Sequence, residues 1–115
     1  MALKITNRDA SGVTVVGLDG RIVLGEESAG LREGVKGLLA QGKKKIVLNA
    51  DKVTMIDSAG LGTLVGLYSS ARTQGASLRL CNLGTKFREV LQITKLLTVF
   101  DVYNSEAEAV GSFSK

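Results

Sequence analysis

The sequence contains no histidine, and this absence excludes most of the chemistry of common hydrolases. Ser-His-Asp and Cys-His nucleophilic sites need an imidazole as their base, and most zinc sites use imidazole ligands. We therefore predict that the protein is not an enzyme and that it holds no metal.

Aromatic residues are also scarce, at 4% of the chain, and tryptophan is absent. The net charge is +4, but the basic residues are dispersed and only Lys43, Lys44 and Lys45 cluster. Three lysines just before the apolar run IVL are typical of a solvated loop that leads into a strand. Because no nucleic-acid-binding signature accompanies the charge, we predict no direct binding of nucleic acid.

Cys81 is the only cysteine, so no disulfide can form within the chain. It lies in the apolar alternation SLRLCNL, and a lone buried thiol is typical of a reducing compartment. The stretch MALKITNRD lacks the apolar core of a signal peptide, and no segment reaches the roughly 18 apolar residues of a membrane span. These features predict a cytoplasmic protein with no membrane insertion.

The 115 residues are 44% hydrophobic and 23% charged, which is typical of a folded chain. This length predicts one domain over residues 1–115. Hydrophobic periodicity and turn signals predict strands at 3–7, 13–18, 46–48, 77–83 and 99–102, with a hairpin turn at 9–12 and a second turn at Asp19-Gly20. They predict helices at 28–40, 58–73 and 85–94, and a last helix that begins at a capping box formed by Ser105 and Glu108. This order favours an α/β fold with helices packed on a small mixed sheet.

Gly60, Gly62 and Gly66 follow the third predicted strand and resemble a nucleotide-binding loop. A dinucleotide fingerprint also needs an acidic residue about 20 positions further on, and the strand at 77–83 has none. The Lys-Ser or Lys-Thr pair of a P-loop is missing as well. We expect instead that these glycines let a helix pack closely on the sheet, while a small-ligand site at this turn ranks as the weakest alternative.

Asp57 and Ser58 stand where the helix at 58–73 begins, and either side chain could cap it. The small residues Ala59 and Gly60 then predict a bare first turn that another surface can approach. A phosphate on Ser58 would carry nearly two negative charges, which a helix N-terminus tolerates well. Such a phosphate would therefore disturb a docked partner rather than the fold.

The run DSAGLG at 57–62, preceded by KIVLNADKV at 45–53, resembles the signature of the STAS domain family, especially the bacterial anti-sigma factor antagonists. GLDGRI at 17–22 resembles the family's L-x-G-x-[LI] turn, and residues 93–100 resemble its late L-x-x-[LIV]-F segment. The likeness covers nearly the whole chain. It implies a STAS-like domain with a four- or five-stranded mixed sheet and about four helices, packed largely on one side.

The resemblance also implies a function. The unphosphorylated protein would bind an anti-sigma factor that is itself a serine kinase and so release the sigma factor. Phosphorylation of Ser58 would end the binding, and a phosphoserine phosphatase would restore it. This chain would need no cofactor, since the partner kinase supplies ATP and magnesium. The predicted partner surface comprises Arg21, Val23, Leu24, Asp57, Ala59, Gly60, Leu61 and Gly62.

Val23 departs from the family pattern, because many antagonists have aspartate at this point of the loop. The loop contributes to the partner surface in the family, so Val23 bears on which partner is bound. An alternative is a STAS subunit of a larger assembly, such as a stressosome-like particle or a lipid-transport complex. In that alternative, Ser58 would be an ordinary helix cap.

Overall fold

The structure is a computed structural model that describes residues 3–114. The ends of the predicted domain, residues 1, 2 and 115, lie outside the described residues. The strands are β1 (Lys4–Ala10), β2 (Val13–Ile22), β3 (Lys45–Ile56), β4 (Ser77–Cys81) and β5 (Asp101–Tyr103). The helices are α1 (Glu26–Ala40), α2 (Ser58–Thr73), α3 (Thr85–Ile93) and α4 (Glu106–Gly111), followed by a 3₁₀ turn, Ser112–Ser114.

The strands form one mixed sheet in the order β1-β2-β3-β4-β5. β1 and β2 are an antiparallel hairpin, and the remaining neighbours are parallel. β3 lies at the centre, as its continuous apolar run IVL predicts, and Ile46, Val47 and Leu48 are fully buried. The predicted mixed sheet with four helices is therefore confirmed for the described residues.

The alternating side chains of the central strands supply two cores, one on each face of the sheet. The larger core receives α1, α2 and α3, and it includes Leu31, Leu64 and Leu91. The smaller core lies on the opposite face, where Ala109 of α4 meets Val15 and neighbouring strand residues. Three of the four helices thus share one face, which agrees with the predicted layering.

The predicted turn at Asp19-Gly20 is wrong, because β2 continues through it to Ile22. The pairing of β2 with β3 shifts its register between Gly17 and Asp19 and again between Gly20 and Arg21. Irregular pairing of this kind lets a strand bend without ending. The residues that looked like a turn therefore bend a long strand, and this bend carries the chain to the start of α1.

Most predicted helix bounds agree with the structure. α2 has the predicted bounds, and Gly75 follows it with a φ of 75°. The Ser105 side chain caps α4 by accepting a hydrogen bond from the Glu108 N–H, as the capping box predicts. The predicted strand at 99–102 begins two residues before β5 and ends one residue before it, because Val99 and Phe100 belong to the turn and bend that precede β5.

Cys81 is buried in the smaller core, as predicted, and burial raises the pKa of its thiol to about 11. The side chain is therefore a neutral apolar group at physiological pH rather than a nucleophile. Among residues 3–114, no helix is long and apolar enough to cross a membrane.

Candidate functional site

The junction between β3 and α2 is organised by the carboxylate of Asp57. One oxygen, Oδ1, accepts a hydrogen bond from the Gly60 N–H at 2.8 Å and so caps α2. The other, Oδ2, accepts from the Leu24 N–H at 3.0 Å, in the loop between β2 and α1. Asp57 therefore joins the first turn of α2 to a loop 33 residues earlier in the chain.

The same contacts set the charge of Asp57. Hydrogen bonds from the backbone N–H groups of Gly60 and Leu24 favour the ionised carboxylate and hold its pKa below the usual 3.8. The carboxylate thus stays negative at the start of α2, where the helix dipole also favours negative charge. Because both oxygens accept hydrogen bonds and the pKa is low, Asp57 is a poor proton acceptor.

Ser58 is the first residue of α2, and its side chain is exposed. Within residues 3–114 its hydroxyl makes no hydrogen bond, and the cap of α2 is supplied by Asp57. Ser58 is therefore not the helix cap that the scaffold alternative expects, while the scaffold role itself stays a prediction. The structure leaves a free hydroxyl beside a capped helix end.

Gly60 has one of the two roles expected of it, because it allows close packing but does not bare the first turn. It is buried, and a Cβ at this position would overlap the carbonyl oxygen of Ile22 and lie 2.7 Å from its carbonyl carbon. Gly60 therefore lets α2 approach the end of β2 rather than baring the first turn for a partner. At Gly62 and Gly66, by contrast, a Cβ would meet nothing within 4 Å, so close packing on the sheet does not explain these two glycines.

The remaining residues of the predicted partner surface differ in their exposure. Leu61 is buried, Ala59 and Val23 are half-buried, and Arg21 and Gly62 are exposed. The Arg21 guanidinium lies 3.8 Å from the Glu27 carboxylate of α1.

Two large apolar side chains close to Asp57 are exposed. Leu24, whose N–H bonds to Asp57, is 76% exposed, and Met55, two residues before Asp57, is 53% exposed. The sequence predicted Leu24 but missed Met55. Simple alternation places Met55 on the same face as Val53, whereas the second register shift between β2 and β3 turns it outward.

Known proteins resemble this chain both in sequence and in structure. The STAS domain family model matches residues 4–109. The anti-sigma-B factor antagonist of Listeria monocytogenes is 31% identical over 116 residues, which covers 97% of this chain and 96% of that protein. An anti-sigma factor antagonist from Mycobacterium paratuberculosis has a similar structure, with a TM-score of 0.85 and 20% identity over 98% of this chain and 95% of that one.

The anti-sigma factor antagonist SpoIIAA of Bacillus is a further structural neighbour. Its unphosphorylated form gives a TM-score of 0.74 at 18% identity, and its phosphorylated form gives 0.72 at 20%. Both alignments cover 96% of this chain and 98% of SpoIIAA. The structural matches establish the fold, and the family match establishes membership: this chain belongs to the STAS domain family.

The close contact at Gly60 predicts a large effect of a single methyl group. Gly60→Ala should lower the free energy of unfolding by about 1–3 kcal/mol or more, because the backbone of Ile22 cannot yield as a flexible side chain would. Gly62→Ala is the matched control in the same helix, and it should raise stability by about 0.5–1 kcal/mol through helix propensity alone. Urea unfolding of both variants measures the two effects, and equal stabilities would contradict the contact.

The bonds of Asp57 predict a pH-dependent contribution to stability. A group whose pKa is lowered by folding stabilises the protein above its unfolded pKa and loses that contribution as the pH falls through the folded value. In Asp57→Asn, the amide can accept only one of the two N–H groups and turns its own N–H₂ toward the other. The Tm deficit of Asp57→Asn should therefore be largest near neutral pH and shrink below about pH 3.8.

Asp19→Asn removes an exposed carboxylate of β2 and controls for the change in net charge. A Tm deficit of Asp57→Asn that stays constant from neutral to acidic pH would show that the charge of Asp57 contributes nothing.

Proposed function

We propose that this protein is an anti-sigma factor antagonist that works in the cytoplasm. In its unphosphorylated form it binds an anti-sigma factor that is also a serine kinase, and this binding frees the sigma factor. Phosphorylation of Ser58 ends the binding, and a phosphoserine phosphatase reverses it. The names of the relatives support the antagonist role, and the free Ser58 hydroxyl is the observation that carries the switch.

The exposure of Ser58 makes it accessible to a kinase without unfolding. Because Asp57 supplies the cap, Ser58 can be modified while the hydrogen bonds of the helix end stay in place. A phosphate at this position would lie beside the N–H groups of the first turn of α2, where negative charge is favoured. The same position next to the Asp57 carboxylate adds repulsion, so the two effects oppose each other and the net change in stability is small.

The partner surface would combine Ser58 with the exposed apolar side chains of Leu24 and Met55. Burial of exposed apolar side chains supplies much of the free energy of most protein–protein contacts. A doubly charged phosphate within such a contact would lose its hydration without gaining a cation, which is strongly unfavourable. This cost would weaken the complex while the fold remained intact, as a switch that acts on the interface requires.

The transfer of phosphate would depend on the partner. Asp57 is a weak base because its pKa is lowered and both its oxygens accept hydrogen bonds, and the chain has no histidine. The kinase would therefore supply ATP, magnesium and the catalytic base, and this chain would be a substrate without a cofactor of its own. The surface that the kinase recognises would be completed by Arg21, Val23, the half-buried Ala59 and the exposed Gly62.

Phosphorylation of Ser58 is tested by the mass of the intact protein after incubation with an anti-sigma factor kinase of the same organism and ATP. The wild-type chain should gain one phosphate, and Ser58→Ala should gain none. Ser69→Ala removes another exposed serine of α2 and should still be labelled. Labelling of Ser58→Ala to the wild-type level would refute the assignment.

The proposal that a negative charge at position 58 weakens the partner complex but not the fold is tested with Ser58→Glu. This variant should melt within about 2 °C of the wild type, because opposing effects at the helix end nearly cancel. It should nevertheless bind the same kinase more weakly in calorimetry. A large fall in Tm with unchanged binding would mean that Ser58 is structural.

The role of Leu24 in binding is tested by Leu24→Ser. Because the side chain is 76% exposed, its loss should leave the Tm unchanged, but the affinity for the anti-sigma factor should fall at least about tenfold. Ile93→Ser is the matched control, since Ile93 is 80% exposed at the end of α3. Equal losses of affinity in the two variants would argue against a binding surface at Leu24.

A further inference from the structure

β1 is an unusually open edge of the sheet. Its seven residues pair with β2 in one unbroken antiparallel register, from Lys4 opposite Asp19 to Ala10 opposite Val13. The outer side of β1 has no strand partner within residues 3–114, because β1 ends the strand order. The other edge of the sheet, β5, is only three residues long.

Edge strands in native proteins are usually protected by proline, by bulges, by short length or by outward charges. β1 is long, its register has no bulge, and the chain contains no proline. Three of its residues are charged: Lys4 and Asp9 are exposed, and Arg8 forms an ion pair with Glu106 of α4. The unpaired N–H and C=O groups of β1 are therefore available to another strand.

The flank of α1 above this edge is lined by glycines and has no side chains to cover it. Gly30, Gly34 and Gly37 follow one line along α1, at positions i, i+4 and i+7. A Cβ at Gly30 or Gly37 would meet nothing within 4 Å, and at Gly34 it would meet only the end of the Ile5 side chain of β1 at 4.0 Å. None of the three has a positive φ, so neither packing nor backbone geometry within the described chain explains residues that weaken a helix.

We propose that two copies of this chain pair through β1 in antiparallel orientation, about a two-fold axis perpendicular to the sheet. The two sheets would become one continuous sheet, and the interface would close on itself as a two-fold dimer does. The axis would also bring the two α1 helices together on the same face, with their glycine flanks toward each other. Small side chains on both helices would allow their backbones to approach closely.

The open edge of β1 and the glycine flank of α1 together favour a second copy of the chain over an unrelated peptide. An added peptide strand would satisfy the backbone of β1 but would leave the glycines of α1 uncovered. The opposite flank of α1 is already occupied, since Arg32 lies 3.5 Å from the Thr63 hydroxyl of α2. The glycine flank therefore faces the β1 edge and not α2.

Charge selects the register of this pairing. A dimer centred on Asn7 pairs all seven residues of β1 and places Thr6 opposite Arg8 of the second copy. A shift of the centre to Thr6 would oppose Lys4 and Arg8, and a shift to Arg8 would oppose the two arginines. Like charges directly opposite each other are unfavourable, so the centre lies at Asn7.

The oligomeric state is tested by light scattering of the purified chain from micromolar to millimolar concentrations. The wild type should reach the mass of two chains. Gly30→Gln combined with Gly37→Gln should fold normally but shift the equilibrium to the monomer, because the added side chains meet nothing in one chain and clash between two. Gly66→Gln, at an exposed glycine of α2, should dimerise like the wild type. A monomeric wild type throughout this range would overturn the proposal.

The register is tested by disulfide trapping. Opposite residues of antiparallel strands have Cα atoms about 4.5–5.5 Å apart, within the range that a disulfide spans. Asn7→Cys should therefore form a covalent dimer under mild oxidation. Asp9→Cys should not, because its two copies would lie roughly 13 Å apart. The native Cys81 is buried and does not compete. Equal trapping of both variants, or of neither, would refute this pairing.

Discussion

The carboxylate of Asp57 is the interaction on which the candidate site depends. It binds the Gly60 N–H of α2 and the Leu24 N–H of the β2–α1 loop, and so fixes two segments that are distant in sequence. The Asp57 N–H adds a third link by donating to the Ile22 carbonyl at 3.3 Å. Together these bonds join the start of α2 to the end of β2 and to the loop that follows it. They are possible because Gly60 lets α2 come close. The relative positions of Leu24 and Ser58 follow from this set of contacts.

Capping of α2 and the proposed phosphorylation involve different residues, although one polar residue at a helix start often does both. A serine that capped α2 would lose its capping bond when modified, and the helix would be weakened with it. Here Asp57 caps the helix, and its lowered pKa keeps it charged at any pH near neutrality. The neighbouring hydroxyl is consequently free for the proposed phosphorylation, and the energetic cost of that phosphate would fall on the bound partner.

Much of this could be predicted from the sequence, because the apolar spacing of α2 and the run Ile46–Leu48 reflect burial directly. The errors occur where backbone geometry overrides residue type. Asp19-Gly20 has the composition of a turn, yet pairing with β3 keeps it within a strand. Met55 is outward because of a register shift that alternation cannot reveal. The tight contact of Gly60 depends on Ile22, which lies 38 residues away, and no local pattern encodes it.

The sheet topology places the proposed phosphorylation site and the proposed dimer contact apart. Ser58 follows the central strand β3, whereas the dimer contact lies at the outer strand β1 and on the flank of α1 that faces away from α2. Two chains joined through β1 would therefore each keep an accessible Ser58, and phosphorylation would not act directly on the dimer. Such a dimer would present two partner surfaces at once, and a partner with two equivalent sites would gain avidity wherever the spacing of those surfaces allowed both to be occupied.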